Sequence, residues 1–302
     1  MNQRETVQKI GRSVHTLIGK SPPFAGWYLR TIGLLGKPFP DGLWKKRIYN
    51  ALEWSDWTGV TLPPHTVELT RGIAVKLVPH PSEFDFAALL YRRLPHEPGV
   101  FDWLSGREYD SVIEIGANVG VFTLFFTRQY PHARIYAFEP SGMAYRRLLA
   151  NLMANEEERA TTFNCAVSDS TEFMNFFEPA GHLTNGSLDS AFAAQFSDKI
   201  ATRRVLAIDA HSLAPLISRR TLIKLDVEGA EPRVLGALAG LLRERHPDLL
   251  IEVLENTEAE LNGLDFLLDG SYSMFNLADS GPVPAGRFEA GEFRDFALVA
   301  KR

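Results

Sequence analysis

The stretch that most constrains this chain is Val112-Ile113-Glu114-Ile115-Gly116-Ala117-Asn118-Val119-Gly120, an apolar run that enters a glycine-bearing turn and continues into a helical pattern. Gly116 and Gly120 let the backbone turn tightly and approach a ligand. The helix that follows opens with N–H groups that have no intrahelical partner. Strand, turn and helix in this order make a nucleotide-binding arrangement. A pyrophosphate site carries G-x-G-x-x-G; here the pattern is acidic-x-G-x-N-x-G. A carboxylate at Glu114 repels pyrophosphate but accepts from an α-ammonium. The ligand this implies is an amino-acid-bearing nucleoside, S-adenosylmethionine.

The rest of the chain places that turn in an α/β architecture. From Asp110 onward short apolar runs alternate with helical segments, the rhythm of a doubly wound, mostly parallel sheet with helices on both faces. The pattern predicts strands at Ser111–Ile115, Arg134–Phe138, Thr161–Ala166, Leu222–Asp226 and Asp248–Val253, with helices at Val119–Tyr130, Ala144–Asn155 and Pro232–Arg245. Ser271–Leu277 and Phe293–Ala300 read as two further strands that close the sheet with an antiparallel C-terminal edge, joined by a loop containing Gly281-Pro282-Val283-Pro284. Ahead of this domain, prolines repeatedly break the periodicity. A small β element is expected at Thr66–Leu69 and Ile73–Val78, and a helix at Phe84–Leu94. The expected division is a helical and irregular N-terminal extension over residues 1–75 and a catalytic domain over 76–302.

Further residues at the carboxyl ends of these strands carry chemistry. Phe138-Glu139-Pro140 ends the second strand where an acidic side chain bonds the two hydroxyls of a ribose, which makes Glu139 the expected ribose ligand. After the third strand, Ala166 and Val167 are placed to pack on an adenine ring, and Asp169 or a backbone N–H to read its edge. Ile223-Lys224-Leu225-Asp226-Val227-Glu228-Gly229-Ala230-Glu231 leaves three carboxylates at the active edge of the sheet. Such acids raise one another's pKa, bind a divalent cation or orient an acceptor hydroxyl. The helix-dipole role is the plainer reading of Glu228 and Glu231. Glu252 is an acid within an apolar strand, and an unpaired charge there is costly, so it faces the cleft or a fixed partner. The eight histidines show no metal-ligand spacing. His182, in the polar insertion Gly181-His182-Leu183-Thr184-Asn185-Gly186-Ser187, is the histidine candidate for a general base. Cys165 reads as a small buried side chain.

Composition narrows the setting. One cysteine excludes an internal disulfide and a Cys-rich zinc site, and fits a reducing cytoplasm. No run reaches the roughly twenty apolar residues of a bilayer span, and the Met1–Glu5 start lacks the pattern of a secretory signal. The net charge of -5 hides an asymmetry: residues 1 to 47 carry nine Lys or Arg against Glu5 and Asp41, interleaved with Phe24, Trp27, Tyr28, Leu34, Leu35, Phe39, Leu43 and Trp44. Two readings follow. One is an amphipathic wrapper on the chain's own acidic domain; the other is a docking segment for an anionic lipid layer or a second copy of the chain, within residues 1–60.

Taken together, Glu114-x-Gly116-Ala117-Asn118-Val119-Gly120, Phe138-Glu139-Pro140, Ala166-Val167-Ser168-Asp169, the segment Ile223–Glu231 and Ile251-Glu252 resemble the FkbM-type methyltransferases, over about residues 76 to 300. The resemblance implies a class I methyltransferase (Rossmann-like) fold, S-adenosylmethionine as donor, and O-methylation of a hydroxyl on a sugar, glycan or secondary metabolite. Glu114 stands where the family often has Asp, and the basic aromatic leader lies outside the shared pattern. The base expected to take the hydroxyl proton is Asp226, Glu228 or His182, directly or through water on a bound divalent cation. The competing readings are a nicotinamide-dependent oxidoreductase, against which Asn118 and Glu114 argue, and a non-catalytic interaction protein on the same fold. Nucleic acid is not the expected partner, because Asp226-Val227-Glu228-Gly229 replaces the Asn/Asp-Pro-Pro-aromatic stretch of base-nitrogen methyltransferases.

Overall fold

In a computed structural model of the protein, which describes residues 18, 21–53, 60–80, 83–94, 97–181 and 185–301, the chain divides into two units, Met1–His96 and Glu97–Arg302. The division by contacts thus falls after His96 and not after residue 75.

The first unit contains helices α1 (Pro22–Gly36) and α2 (Leu43–Glu53), strands β1 (His65–Thr70) and β2 (Ile73–Leu77), and a 3-10 turn at Phe84–Leu89. Prolines in the first turn of α1 suit a position whose N–H is unused. α1 buries Ala25, Gly26, Leu29, Gly33 and Gly36. Gly33 lies so close to Leu89 that a Cβ there would sit 2.9 Å from its side chain. β1 and β2 form the expected hairpin around Arg71-Gly72. The helix expected to run to Leu94 stops as a 3-10 turn because its chain is recruited by β1: the Glu68 N–H donates to the Arg92 carbonyl at 2.7 Å, and the Leu94 N–H to the Glu68 carbonyl at 3.1 Å.

The second unit is built on an eight-stranded sheet. Its elements in chain order are α3 (Pro98–Ser105), β3 (Ser111–Ile115), α4 (Val121–Gln129), β4 (Arg134–Phe138), α5 (Gly142–Ala154), β5 (Ala160–Phe163), β6 (Ala166–Ser168), β7 (Glu172–Pro179), β8 (Ile200–Asp209), β9 (Thr221–Leu225), α6 (Glu231–Arg245), β10 (Asp248–Glu252), β11 (Tyr272–Ala278), β12 (Gly281–Ala285) and β13 (Asp295–Ala300), with single helical turns between some of them. The sheet order is β12-β11-β13-β10-β9-β3-β4-β5. The stretch from β5 to β10 is parallel, and β13 inserts antiparallel between β10 and β11. Chain order reverses beside β3, which opens the crevice at which doubly wound sheets bind ligands. β3 and β9 are buried at every position, as strands covered on both faces must be.

Three differences from the sequence reading matter. The third parallel strand ends at Phe163, not Ala166, because the Asn164 side chain donates to the carbonyls of Glu139 and Pro140 and stitches the strand end to the next loop. The chain then leaves the main sheet: β6 pairs with β8, and β8 with β7, in a separate three-stranded sheet. Finally, Gly281–Ala285, read as a loop, pairs with β11 as an edge strand.

Candidate active site

The carboxyl ends of β3, β4, β9 and β10 gather the predicted residues at one end of the sheet. Gly116 shows why that gathering needs glycine. It has φ +90°, and a Cβ on it would lie 1.7 Å from the carbonyl oxygen of Asp226. The Asp226 N–H in turn donates to the Ile115 carbonyl at 3.0 Å. The turn after β3 and the acidic turn after β9 are therefore in direct backbone contact. Gly120 also has positive φ, +84°, and packs on Leu148.

Glu139 lies just past the end of β4. Its Oε2 accepts the Asn118 N–H at 2.8 Å and its Oε1 the Ser141 N–H at 2.7 Å. Each oxygen keeps a further lone pair, so the fixed carboxyl can accept from a pair of hydroxyls. Burial pushes it up to about 7 against those two N–H bonds. Asn118 adopts φ +49°, and its side-chain oxygen is enclosed without a partner. Glu114 is 1 % exposed and accepts from the Thr123 hydroxyl at 2.6 Å. Burial drives it up to about 8, opposed by the Lys224 ammonium. It is thus enclosed one residue before the strand end.

The acids after β9 form a tight group around Lys224. Lys224 is the register partner of Glu114 across β3 and β9, and its ammonium lies 2.8 Å from Asp226 and 4.5 Å over the Phe122 ring. Burial works against its charge, but Asp226, Glu97 and Glu114 outweigh burial and hold it above the ordinary lysine range. Glu252 and Asp295 are register partners across β10 and β13. Both are raised well above the carboxylate range, first by burial; Asp226 and Glu228 add to this at Glu252, and Glu97 at Asp295. Glu228, at φ +54°, is raised by burial and then by Asp226 and Glu231. Carboxyl oxygens of Asp226, Glu228 and Glu252 all come within 4.8 Å of one another, a set that suits either shared protons or a divalent cation. Glu231 has a different role: its two oxygens accept the N–H groups of Val227 and Gly229 and fix the turn.

The remaining candidates are placed as follows. Val167 lies in a hydrophobic core cluster with residues of β9 and α6, and Ala166 in a smaller one. Asp169 pairs with Arg233 of α6 at 2.8 Å. Cys165 is buried, and burial pushes its thiol up to about 11. His182 lies outside the described residues. Ser187, further along the same insertion, donates to the Glu228 carbonyl at 2.6 Å. Sequence reasoning gave no role to Lys224 or Asp295. For both the available signal was the one that exposed Glu252, a charge inside an apolar strand.

Comparison with known proteins fits this geometry. Residues 114–274, from Glu114 into β11, match the model of the methyltransferase FkbM domain. The chain is 26% identical over 159 residues to Methyltransferase 1 of Beauveria bassiana, covering 47% of this chain and 62% of that protein. It is 26% identical over 206 residues to the 31-O-demethyl-FK506 methyltransferase FkbM of Streptomyces tacrolimicus, covering 60% and 78%. Among solved structures, methyltransferase FkbM from Methylobacillus flagellatus KT superposes with a TM-score of 0.42 at 14% identity, over 64% of this chain and 44% of the other. The match thus spans less than two thirds of the Beauveria relative. The matched family segment covers more than half of the chain and includes the glycine turn, Glu139 and all three acids of the cluster, so the chain belongs to the FkbM methyltransferase family and has its class I, Rossmann-like fold.

Proposed function

We propose that the protein transfers the methyl group of S-adenosylmethionine to a hydroxyl oxygen of a sugar, glycan or secondary metabolite. The observation that carries this reading is the backbone contact between Gly116 and Asp226, which sets a nucleoside-type turn against a cluster of acids. The name of the Streptomyces relative, a 31-O-demethyl-FK506 methyltransferase, supports methyl transfer to an oxygen.

The residues fit the donor. Glu139 is held by two N–H groups with lone pairs left for the ribose hydroxyls. The unpartnered Asn118 oxygen offers an acceptor to the donor's polar end. The glycine turn leaves its backbone close to the ligand. Once bound, the sulfonium supplies an electrophilic methyl group, so the protein has chiefly to align an oxygen behind it and take up a proton. Asp226, ion-paired with Lys224, is the base. Burial and neighbouring acids favour the protonated forms of Glu228 and Glu252, and a proton held there lets the cluster orient groups by donating hydrogen bonds. Lys224 already supplies positive charge at Asp226, so we assign the cluster to proton sharing and not to a cation.

Calorimetric titration with S-adenosylhomocysteine and with NAD tests the donor. Binding of the first alone is expected, and Glu139→Ala weakens it about tenfold or more. Binding of NAD alone overturns the reading. With an acceptor panel, Asp226→Asn lowers turnover by about a hundredfold or more while leaving donor affinity intact, whereas Glu228→Gln, which keeps the neutral form that burial favours, costs less. Full turnover in Asp226→Asn removes the base assignment, and chelator-sensitive turnover restored by magnesium reassigns the cluster to a cation.

A further inference from the structure

Seven of the thirteen large apolar side chains exposed among the described residues fall between Phe24 and Trp44. α1 explains part of this. Its inner face, Ala25, Leu29, Gly33 and Gly36, is buried at near-regular helical spacing. The opposite face carries Phe24, Trp27 and Leu34, with Trp27 61% and Leu34 77% exposed. Thr31 lies on the same stripe, and its hydroxyl is turned back to the Trp27 carbonyl. A helix apolar on both faces belongs where both are covered. The exposed rings also pack with each other: Phe24 stacks on Trp27 at 5.7 Å, and Phe39 meets Trp44 edge-on at 5.5 Å. Ordering aromatic side chains in water gains little unless a less polar medium meets them.

The charged residues of this stretch are nearly all positive. Residues 21–47 contain Arg30, Lys37, Lys45, Lys46 and Arg47 against Asp41 alone, and Asp41 is taken by Lys45 at 2.9 Å. Arg92 joins them, donating to the Lys37 carbonyl at 3.1 Å. Burial, and then Arg92 and Lys45, pull Lys37 below the ordinary lysine range, so cations crowd here without enough acids. Arg30, Lys46 and Arg47 are exposed beside the apolar surface.

We infer that the α1–α2 segment docks the protein on a membrane surface rich in anionic lipid, independently of the methyl-transfer reading. Trp and Phe side chains enter the interfacial layer while the cations meet headgroup phosphates and carboxylates. The segment lies on the bilayer and does not cross it. α1 is about 22 Å long from its rise per residue, short of a hydrocarbon core of about 30 Å, and no helix among the described residues is long and apolar enough to span.

Flotation of the full chain with phosphatidylcholine vesicles, with and without phosphatidylserine, tests the inference. The protein is expected to float with the anionic vesicles, and high salt should weaken binding. Trp27→Ser with Leu34→Ser, and separately Lys46→Glu with Arg47→Glu, each reduce the bound fraction about tenfold or more. All four positions are exposed, so both variants keep the wild-type thermal transition by circular dichroism. Absence of flotation overturns the inference, as does equal binding to neutral vesicles. A dimer by light scattering that becomes monomeric on Trp27→Ser with Leu34→Ser overturns it too, and assigns the surface to a second copy of the chain.

Discussion

Lys224 shows how one side chain organises the site. It lies in a strand buried at every position, yet it carries a charge, which Asp226, 2.8 Å away, and then Glu97 hold in place. Removing one partner of a buried ion pair costs more than the pair itself contributes, because the other charge remains enclosed. Lys224→Met is therefore expected to destabilise the chain by about 3–5 kcal/mol in urea unfolding. Lost attraction also favours the protonated form of Asp226, so the acidic limb of the turnover profile moves to higher pH. An unmoved limb would separate Lys224 from the base. At this scale the sequence was partly legible. Glu139, Asp226, Glu228 and Glu252 were recognised by their place after apolar strands. Lys224 and Asp295 were missed because their meaning lies in register, Lys224 opposite Glu114 and Asp295 opposite Glu252, and register between distant strands cannot be read from spacing.

Elements and their turns behaved differently. β3 and β4 occupy the expected residues, since short apolar runs ended by Gly or Pro leave little freedom of boundary. The β7–β8 pair escaped detection because most of its residues are not buried; Phe176, Val205 and Ala207 supply most of its core. A strand lacking one continuous apolar face gives no period-two signal. The turn between β9 and α6 illustrates a function the dipole argument understated. Glu231 does not simply lean on the helix end; it closes the turn through the N–H groups of Val227 and Gly229. Glu231→Gln puts an amide NH2 against one of those donors, with an expected loss of about 1–3 kcal/mol measured by chemical unfolding. Turnover should fall as well, because the same turn carries Glu228.

For the whole molecule, the buried acids set the pH response. Burial raises Glu114 to about 8, and Glu139 and Glu231 to about 7, from an ordinary value of 4.5. Between these limits the folded chain holds protons that the unfolded chain has released, so stability falls as pH rises. Urea midpoints measured across that window are expected to decline toward the alkaline side, and a rising midpoint would contradict the enclosure of these groups. The edge strand β12 bears on how such a molecule behaves at high concentration. It borders the sheet with Pro282 and Pro284, placed opposite Leu277 and Phe275. A proline has no amide hydrogen, so both occupy positions whose donors would otherwise point outward. A foreign strand laid along this border finds carbonyls with gaps between them where it needs a regular ladder, and the sheet cannot be extended there into a larger aggregate.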